Sequence, residues 1–161
     1  EEFLKRSENY KNVFDKNINF MRPKFSDGNW KKDFNTLSTH NQGFIEGNAW
    51  NYGLYVPHEI DKMIALMGGK DAFSNKLDEL FSTQEKTSGR HQADITGLIG
   101  QYAQGNEPCH HVPYMYNYAG KPWRTQEIVT EIKNTLYKNI VIFKLIILHR
   151  SSELIYFFIH P

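Results

Sequence analysis

The chain of 161 residues holds one cysteine, Cys109, so no disulfide framework can close within it. It has no surplus of either charge. The 19 Lys and Arg stand against 18 Asp and Glu, a formal balance of +1, and no basic cluster is interleaved with aromatics. That balance argues against nucleic acid or an anionic membrane surface as an electrostatically recruited partner. There is no apolar run long enough for a membrane span either. The longest, IVIFKLIIL (140–148), is interrupted by Lys144, and His149, Arg150 and Glu153 separate it from LIYFFI (154–159). A spanning helix needs roughly 20 apolar residues. Metal-protease and zinc-finger spacings are missing, since the chain has neither HExxH nor CxxC. No internal repeat stands out at solenoid periods. The chain opens EEFLKR, without an initiator Met or a signal peptide, and so reads as a piece of something longer.

What is present is aromatic: 9 Tyr, 11 Phe and 3 Trp, several beside glycines and amides in GNWKK, EGNAWNYGLY and YNYAGKPW rather than in periodic runs. Two readings stand. Such rings fill cores and loops, and flat aromatic faces also suit sugar rings, whose axial C–H groups pack on π surfaces. An apolar content of 40% and a charged content of 23% are those of a soluble globular domain, and the length suits one domain with its own core.

Periodicity gives a mainly helical reading. Phe3, Leu4, Tyr10 and Phe14 fit one face of a helix from 2 to 14. Residues 15–56 carry Pro23, Gly28, Gly43, Gly47 and Gly53 among aromatics and read as loop with short structured pieces. Ile60, Met63, Ile64 and Met67 follow the i, i+3, i+4, i+7 spacing of an amphipathic helix between Pro57 and Gly68-Gly69. Phe73, Leu77, Leu80 and Phe81 repeat the pattern after Asp71. Ile95, Leu98, Ile99 and Tyr102 predict a third helix, stopped by Gly105. HHVPYMYNYAG (110–120) predicts a helix with Pro113 in its first turn. Thr125 is placed to cap another, in which Ile128, Val129, Ile132 and Leu136 face inward. No strand alternation precedes residue 140. The expected fold is all-α, built of antiparallel helix pairs whose loops carry the polar and aromatic clusters. Composition shifts after Asn139: residues 140–161 form an apolar tail without amphipathic order, read as a buried strand pair or as sequence foreign to the fold.

Two loops hold the candidates for chemistry. GNEPCHHVPY (105–114) packs an amide, a carboxylate, a thiol and two imidazoles together. A zinc site of Glu107, Cys109, His110 and His111 is disfavoured, because adjacent helical side chains point about 100° apart and no second ligand pair exists. A Cys–His nucleophile needs an imidazole positioned by the fold. The oxygen-rich reading takes Asn106 and Glu107: a turn after Gly105, held open by Pro108, offers carbonyl, amide and carboxylate oxygens of the kind calcium prefers. The alternative is that Asn and Glu only form the turn. The second loop, GFIEGNAWNYG (43–53), carries Glu46 beside Ile45, Trp50 and Tyr52. Apolar neighbours there would raise its pKa and suit it to general-acid catalysis, or it is a hydrogen-bonded structural group. Two carboxylates in aromatic loops form the pattern of a glycosidase.

The stretches FMRPKFSDGNW, FIEGNAWNYGLYVPHEI, LMGGKDAF, LDELF and DITGLIGQYAQGNEPCHHVPYMYNYAGKPWRTQE make residues 3 to 139 resemble part of the catalytic domain of the family 92 glycoside hydrolases, calcium-dependent exo-acting α-mannosidases. The resemblance implies a partial (α/α)6 toroid over residues 1–139 and hydrolysis of terminal α-linked mannose from glycans with inversion. It implies Glu46 as the general acid and a calcium ion held by Asn106 and Glu107. Trp50, Tyr52, Gln101, Tyr102, His110 and His111 are the implied contacts to the mannose-containing glycan. A secreted or extracytoplasmic place is favoured. The family's NEPSHH has Cys109 in place of Ser. After LYKN (136–139) the family pattern continues into an aspartate-bearing segment that supplies the general base, where this chain has IVIFKLIILHRSSELIYFFIHP. Inverting chemistry needs an acid and a base roughly 6.5–9.5 Å apart. The chain is therefore expected to be a fragment with little activity alone, lacking the base, the N-terminal β-sandwich domain and the remaining toroid helices. The alternative is a non-catalytic remnant or weak mannose-binding module.

Overall fold

The computed structural model describes residues 1–137. The expected tail, 140–161, lies outside the described residues, as does the proposed boundary at 139. Helices dominate, and strands are few and short.

The chain begins with helix α1 (Glu2–Ser7) and continues through a 3-10 segment, Glu8–Val13. The sequence reading is corrected here. Phe3 and Leu4 are 80% and 75% exposed, while Phe14 leaves the helix for strand β1 (Phe14–Asp15), so no single helical face joins them. β1 pairs antiparallel with β2 (Phe20–Met21). The end of this first segment is tied down at its polar side chains: Tyr10 Oη donates to Glu59 and Lys62 bridges Glu8 and Glu59. From residue 22 to 59 the chain is loop, as its glycines and proline require.

Helix α2 (Ile60–Leu66) buries Ile60, Met63 and Ile64, and α3 (Lys70–Ser82) buries Phe73, Leu77, Leu80 and Phe81, as their spacing predicts. Gly68 and Gly69, with φ of 99° and 100°, make the left-handed turn between them. Lys76 of α3 closes one side of this core. Its ammonium lies 3.7 Å from the Phe20 ring centre and 3.8 Å from that of Trp50, a cation–π pairing that covers both rings.

The expected third helix does not form. Leu98–Ile99 (β3) and Tyr102–Ala103 (β4) make a tight antiparallel hairpin instead. The reason is glycine. Gly97 and Gly100 adopt φ of 60° and 56°, and Gly100 packs so closely that a Cβ there would meet Leu80 O at 2.2 Å. The apolar spacing of Ile95, Leu98, Ile99 and Tyr102 is the same as a helix would show, but two left-handed glycines break its backbone ladder. With β1 and β2, the hairpin adds short strands to a fold expected to be all-α.

The predicted helix over 110–120 is likewise divided. Glu107–Cys109 and Val112–Tyr114 are 3-10 turns, each with a proline near its start, and only α4 (Met115–Tyr118) is α-helical. Pro113 carries no N–H and cannot continue a ladder through it. Helix α5 (Pro122–Leu136) starts at Pro122, ahead of Thr125. Thr125 does not cap it; its hydroxyl donates to Pro113 O at 2.9 Å and ties α5 to the preceding turn. Ile128 and Ile132 are buried, with Leu136 and Tyr137 half-buried beside them. Arg124 of α5 binds Asp78 of α3, which also accepts from the Tyr116 hydroxyl at 2.8 Å.

Candidate active site

The loop at 46–52 is built on its own amides. Gly47 adopts φ of 65°, and a Cβ there would lie 2.1 Å from Asn51 Oδ1, so a side chain would displace the amide beneath it. That amide oxygen accepts the Asn48 N–H at 2.8 Å, while Asn48 Oδ1 accepts the N–H groups of Trp50 and Asn51 at 3.0 and 3.2 Å. The chain turns sharply here and throws Glu46 to one end of the turn. Glu46 is half-buried, and among the described residues its carboxylate has no hydrogen-bond or ion-pair partner. Among the described residues, then, no bond supports the reading of Glu46 as a hydrogen-bonded structural group. Ile45 gives it no apolar shield of the kind expected, since that side chain is 88% exposed.

Around Glu46 the structure brings the two motif loops together. The Glu46 charge is felt at the Tyr52 hydroxyl and at the Cys109 thiol. Tyr52 leads a chain of rings. It meets Phe44 edge-on at 6.3 Å, stacks on Tyr55 at 5.9 Å, and Tyr55 meets His111 edge-on at 5.7 Å. Burial, with Glu46 nearby, raises the Tyr52 phenol above its ordinary pKa. Trp50 faces the other way. It is 7% exposed, packs edge-on against Phe20 at 4.7 Å and lines a small cavity with Phe14, Leu54, Met63 and Lys76.

The second loop contributes a buried pair of unsatisfied groups. Asn106 is fully buried, yet among the described residues neither its Oδ1 nor its Nδ2 has a partner. Asn51 Nδ2 is the same. These residues flank Cys109, whose thiol donates to Asn51 O at 3.1 Å and whose N–H donates to Asn106 O at 3.0 Å. A buried polar group without a partner costs about 1–3 kcal/mol, and such groups in a native fold point to something that meets them. Glu107 follows Asn106 at the head of a 3-10 turn and is half-buried.

The sulfur and nitrogen groups do not converge. Burial pushes the Cys109 thiol up to about 12, so it stays protonated. His110 donates from Nε2 to Gln104 O at 2.9 Å, and His111 from Nε2 to Leu54 O at 3.1 Å. Among the described residues no group of His, Cys, Asp and Glu could hold a metal by itself. Amide and carboxylate oxygens such as those of Asn106 and Glu107 are of the kind a hard cation takes, and the neighbouring thiol and the Nε2 atoms of both imidazoles are bonded to backbone carbonyls.

Gln101 and Tyr102 lie inside the fold, each 1% exposed. Gln101 Oε1 accepts from Asn48 Nδ2 at 2.9 Å and Thr87 Oγ1 at 3.0 Å, and its Nε2 donates to Glu85 O at 2.7 Å. The Tyr102 hydroxyl donates to Gln104 at 2.6 Å. Sequence reasoning missed Asn48, Asn51 and Gln92, whose Oε1 accepts the Gly47 N–H at 2.6 Å. Only the position of the two asparagines inside EGNAWNY could have marked them. Their distant partners follow no period.

The sequence profile of the glycosyl hydrolase family 92 catalytic domain matches residues 1–141. A family GH92 α-mannosidase of Bacteroides thetaiotaomicron, solved with mannoimidazole, is 35% identical with a TM-score of 0.72, over 83% of this chain and 18% of that one. A family GH92 inverting mannosidase of the same organism is 29% identical with a TM-score of 0.67, over 84% of this chain and 19% of that one. An uncharacterized secreted glycosidase of Arthroderma benhamiae is 26% identical over 76% of this chain and 17% of its own length. The chain thus spans less than a fifth of the relatives it matches.

Proposed function

The chain belongs to glycosyl hydrolase family 92, within the catalytic domain, and from that premise we propose that it supplies the acid-bearing part of an inverting α-mannosidase acting on terminal α-linked mannose. The observation that carries this reading is Glu46: a half-buried carboxylate with no hydrogen-bond or ion-pair partner among the described residues, beside the Tyr52 ring and next to the loop that holds Asn106, whose amide is unsatisfied among the same residues. In this role Glu46 holds the proton and delivers it to the departing glycosidic oxygen, and the rings of Tyr52 and Tyr55 carry the apolar face of a sugar. His110 and His111 border the same loop and keep the described turn in place through their carbonyl partners. Trp50, Gln101 and Tyr102, expected to touch the glycan, act from within the fold, where all three are buried.

Calcium is the metal this donor set fits. Asn106 and Glu107 would hold it, with the unpartnered Asn106 Oδ1 as the amide ligand. Bound there, the ion supplies a fixed positive centre for the hydroxyls of a distorted mannose ring. The general base, the β-sandwich domain and the remaining helices of an (α/α)6 toroid belong to the rest of such an enzyme, so residues 1–161 alone are expected to turn over little or no mannoside. A secreted place fits the secreted relative.

The test uses the complete protein that carries this segment. Glu46→Gln should lower hydrolysis of a mannobiose by about 10²-fold or more, the scale of general-acid catalysis. EGTA should abolish activity and calcium restore it. Unchanged disaccharide hydrolysis by Glu46→Gln would refute the assignment.

A further inference from the structure

We propose that the buried Asn48–Gln101 pair, with Thr87 behind it, is the positioning device for the Glu46 carboxylate; the inference rests on the reading of Glu46 as the acid. Asn48 and Gln101 are 53 positions apart in the chain, and both are buried, 0% and 1% exposed. Every polar atom of the Asn48 side chain is used. Nδ2 donates to Gln101 Oε1 at 2.9 Å and to Leu37 O at 3.2 Å, and Oδ1 accepts the N–H groups of Trp50 and Asn51. The Asn48 carbonyl accepts the Tyr52 N–H at 3.0 Å.

These bonds end on residues 48, 50, 51 and 52, and Gln92 takes the N–H of residue 47 at 2.6 Å. None ends on Glu46. A carboxylate with no partner among the described residues is aimed there by its backbone, and that backbone is held from the residue after it onward. The far end of the device is held just as firmly. Gln101 Oε1 also accepts from Thr87, Nε2 donates to Glu85 O, and the Gln101 N–H donates to Leu80 O at 2.8 Å. Gln101 sits in the β3–β4 turn, and Asn106 follows that hairpin. One amide pair thus fixes the loop bearing the acid against the loop bearing the calcium donors. A general acid needs its proton within hydrogen-bond reach of the leaving oxygen, and a displacement of about 1 Å can cost 10²-fold.

A positioning residue and a merely structural one differ in leaving-group dependence. Gln101→Met keeps the volume and removes the acceptor; Thr87→Val removes one of the two donors to it. Both are made in the complete protein, beside Glu46→Gln, and kcat and KM are measured on a mannobiose and on 2,4-dinitrophenyl mannoside, whose leaving group needs no protonation. Expected for Gln101→Met is a fall in kcat of about 10-fold or more on the disaccharide, with KM nearly unchanged and the activated substrate spared. Thr87→Val should show the same pattern, weaker. Equal losses on both substrates, or none, while Glu46→Gln shows the leaving-group pattern, would overturn the positioning role and leave the acid assignment standing. If Gln101→Met does not fold, Thr87→Val decides by the same criterion. If Glu46→Gln itself shows no leaving-group dependence, the acid assignment fails and the inference falls with it.

Discussion

Burial acts in opposite directions on two residues of one loop and leaves both neutral. The Cys109 thiol is pushed up to about 12, and the His111 imidazole is pushed down, chiefly by desolvation and against the pull of its carbonyl partners at Leu54 and Pro108. The thiol prediction is kinetic. In the folded chain at pH 8, Ellman's reagent should find no fast-reacting thiol, and in denaturant it should find the single cysteine, whose unfolded pKa is about 8.5. Rapid labelling of the native protein would contradict the burial. The His111 prediction concerns stability. Its folded pKa lies below its unfolded value of 6.5, so the unfolded state binds the extra proton and acid favours unfolding. The contribution is complete above 6.5 and is lost as pH falls from there towards the depressed folded value. His111→Gln should flatten the decline of the melting temperature on that side of neutrality; an unchanged slope would exclude His111 as its source. The zinc reading of these residues is further disfavoured, because the Cys109 sulfur and the Nε2 atoms of His110 and His111 already bond backbone carbonyls and no group of His, Cys, Asp and Glu among the described residues could hold a metal.

Among the elements, helices α2, α3 and α5 could be read from spacing because their inward faces are continuous apolar stripes, and the periodicity of one segment needs no knowledge of any other. The β3–β4 hairpin could not. Ile95, Leu98, Ile99 and Tyr102 satisfy the helical template, and the deciding contact is Gly100 against the end of α3, at Leu80 and Phe81. A side chain at position 100 would press on backbone, which cannot move aside as a flexible side chain would. Gly100→Ala should therefore destabilise the protein by about 2 kcal/mol or more, combining a disfavoured φ with a steric clash. Chemical denaturation measures it directly. A loss below about 0.5 kcal/mol would place the substitution among ordinary surface changes and contradict the packing. Gly69, whose added Cβ would meet nothing, has only the strain of its φ of 100° and should respond less.

At the scale of the molecule, several large apolar side chains of the described residues face solvent. Phe3, Leu4 and Ile45 are 75% exposed or more, and Trp123 is 53% exposed. Single exposed apolar residues are ordinary, but IVIFKLIIL adds a β-branched, weakly charged run of the kind that promotes association. A chain ending at Asn139 should stay monodisperse at concentrations where the 161-residue chain associates, as light scattering would report. Equal behaviour of the two would clear residues 140–161 of that role. No helix among the described residues is long and apolar enough to cross a membrane.

By itself the sequence determined the mainly helical class and the family, and it singled out two candidate loops, through EGNAWNY and GNEP in their order along the chain. Local periodicity and contiguous motifs are properties of neighbours, and neighbours are what a sequence displays. It could not determine that Asn48 reaches Gln101, that Cys109 turns to Asn51 O, 58 positions away, or that the Asn106 side chain is buried with no partner among the described residues. Those facts exist only once the backbone has closed, because a side chain's partner is set by which distant carbonyl or amide the packing brings within about 3 Å, the reach of a hydrogen bond. For the same reason the structure alone set Glu46 apart from other acidic groups: among the described residues its carboxylate has no hydrogen-bond or ion-pair partner and yet is half-buried, whereas Asp61 and Glu131, also without one, are exposed.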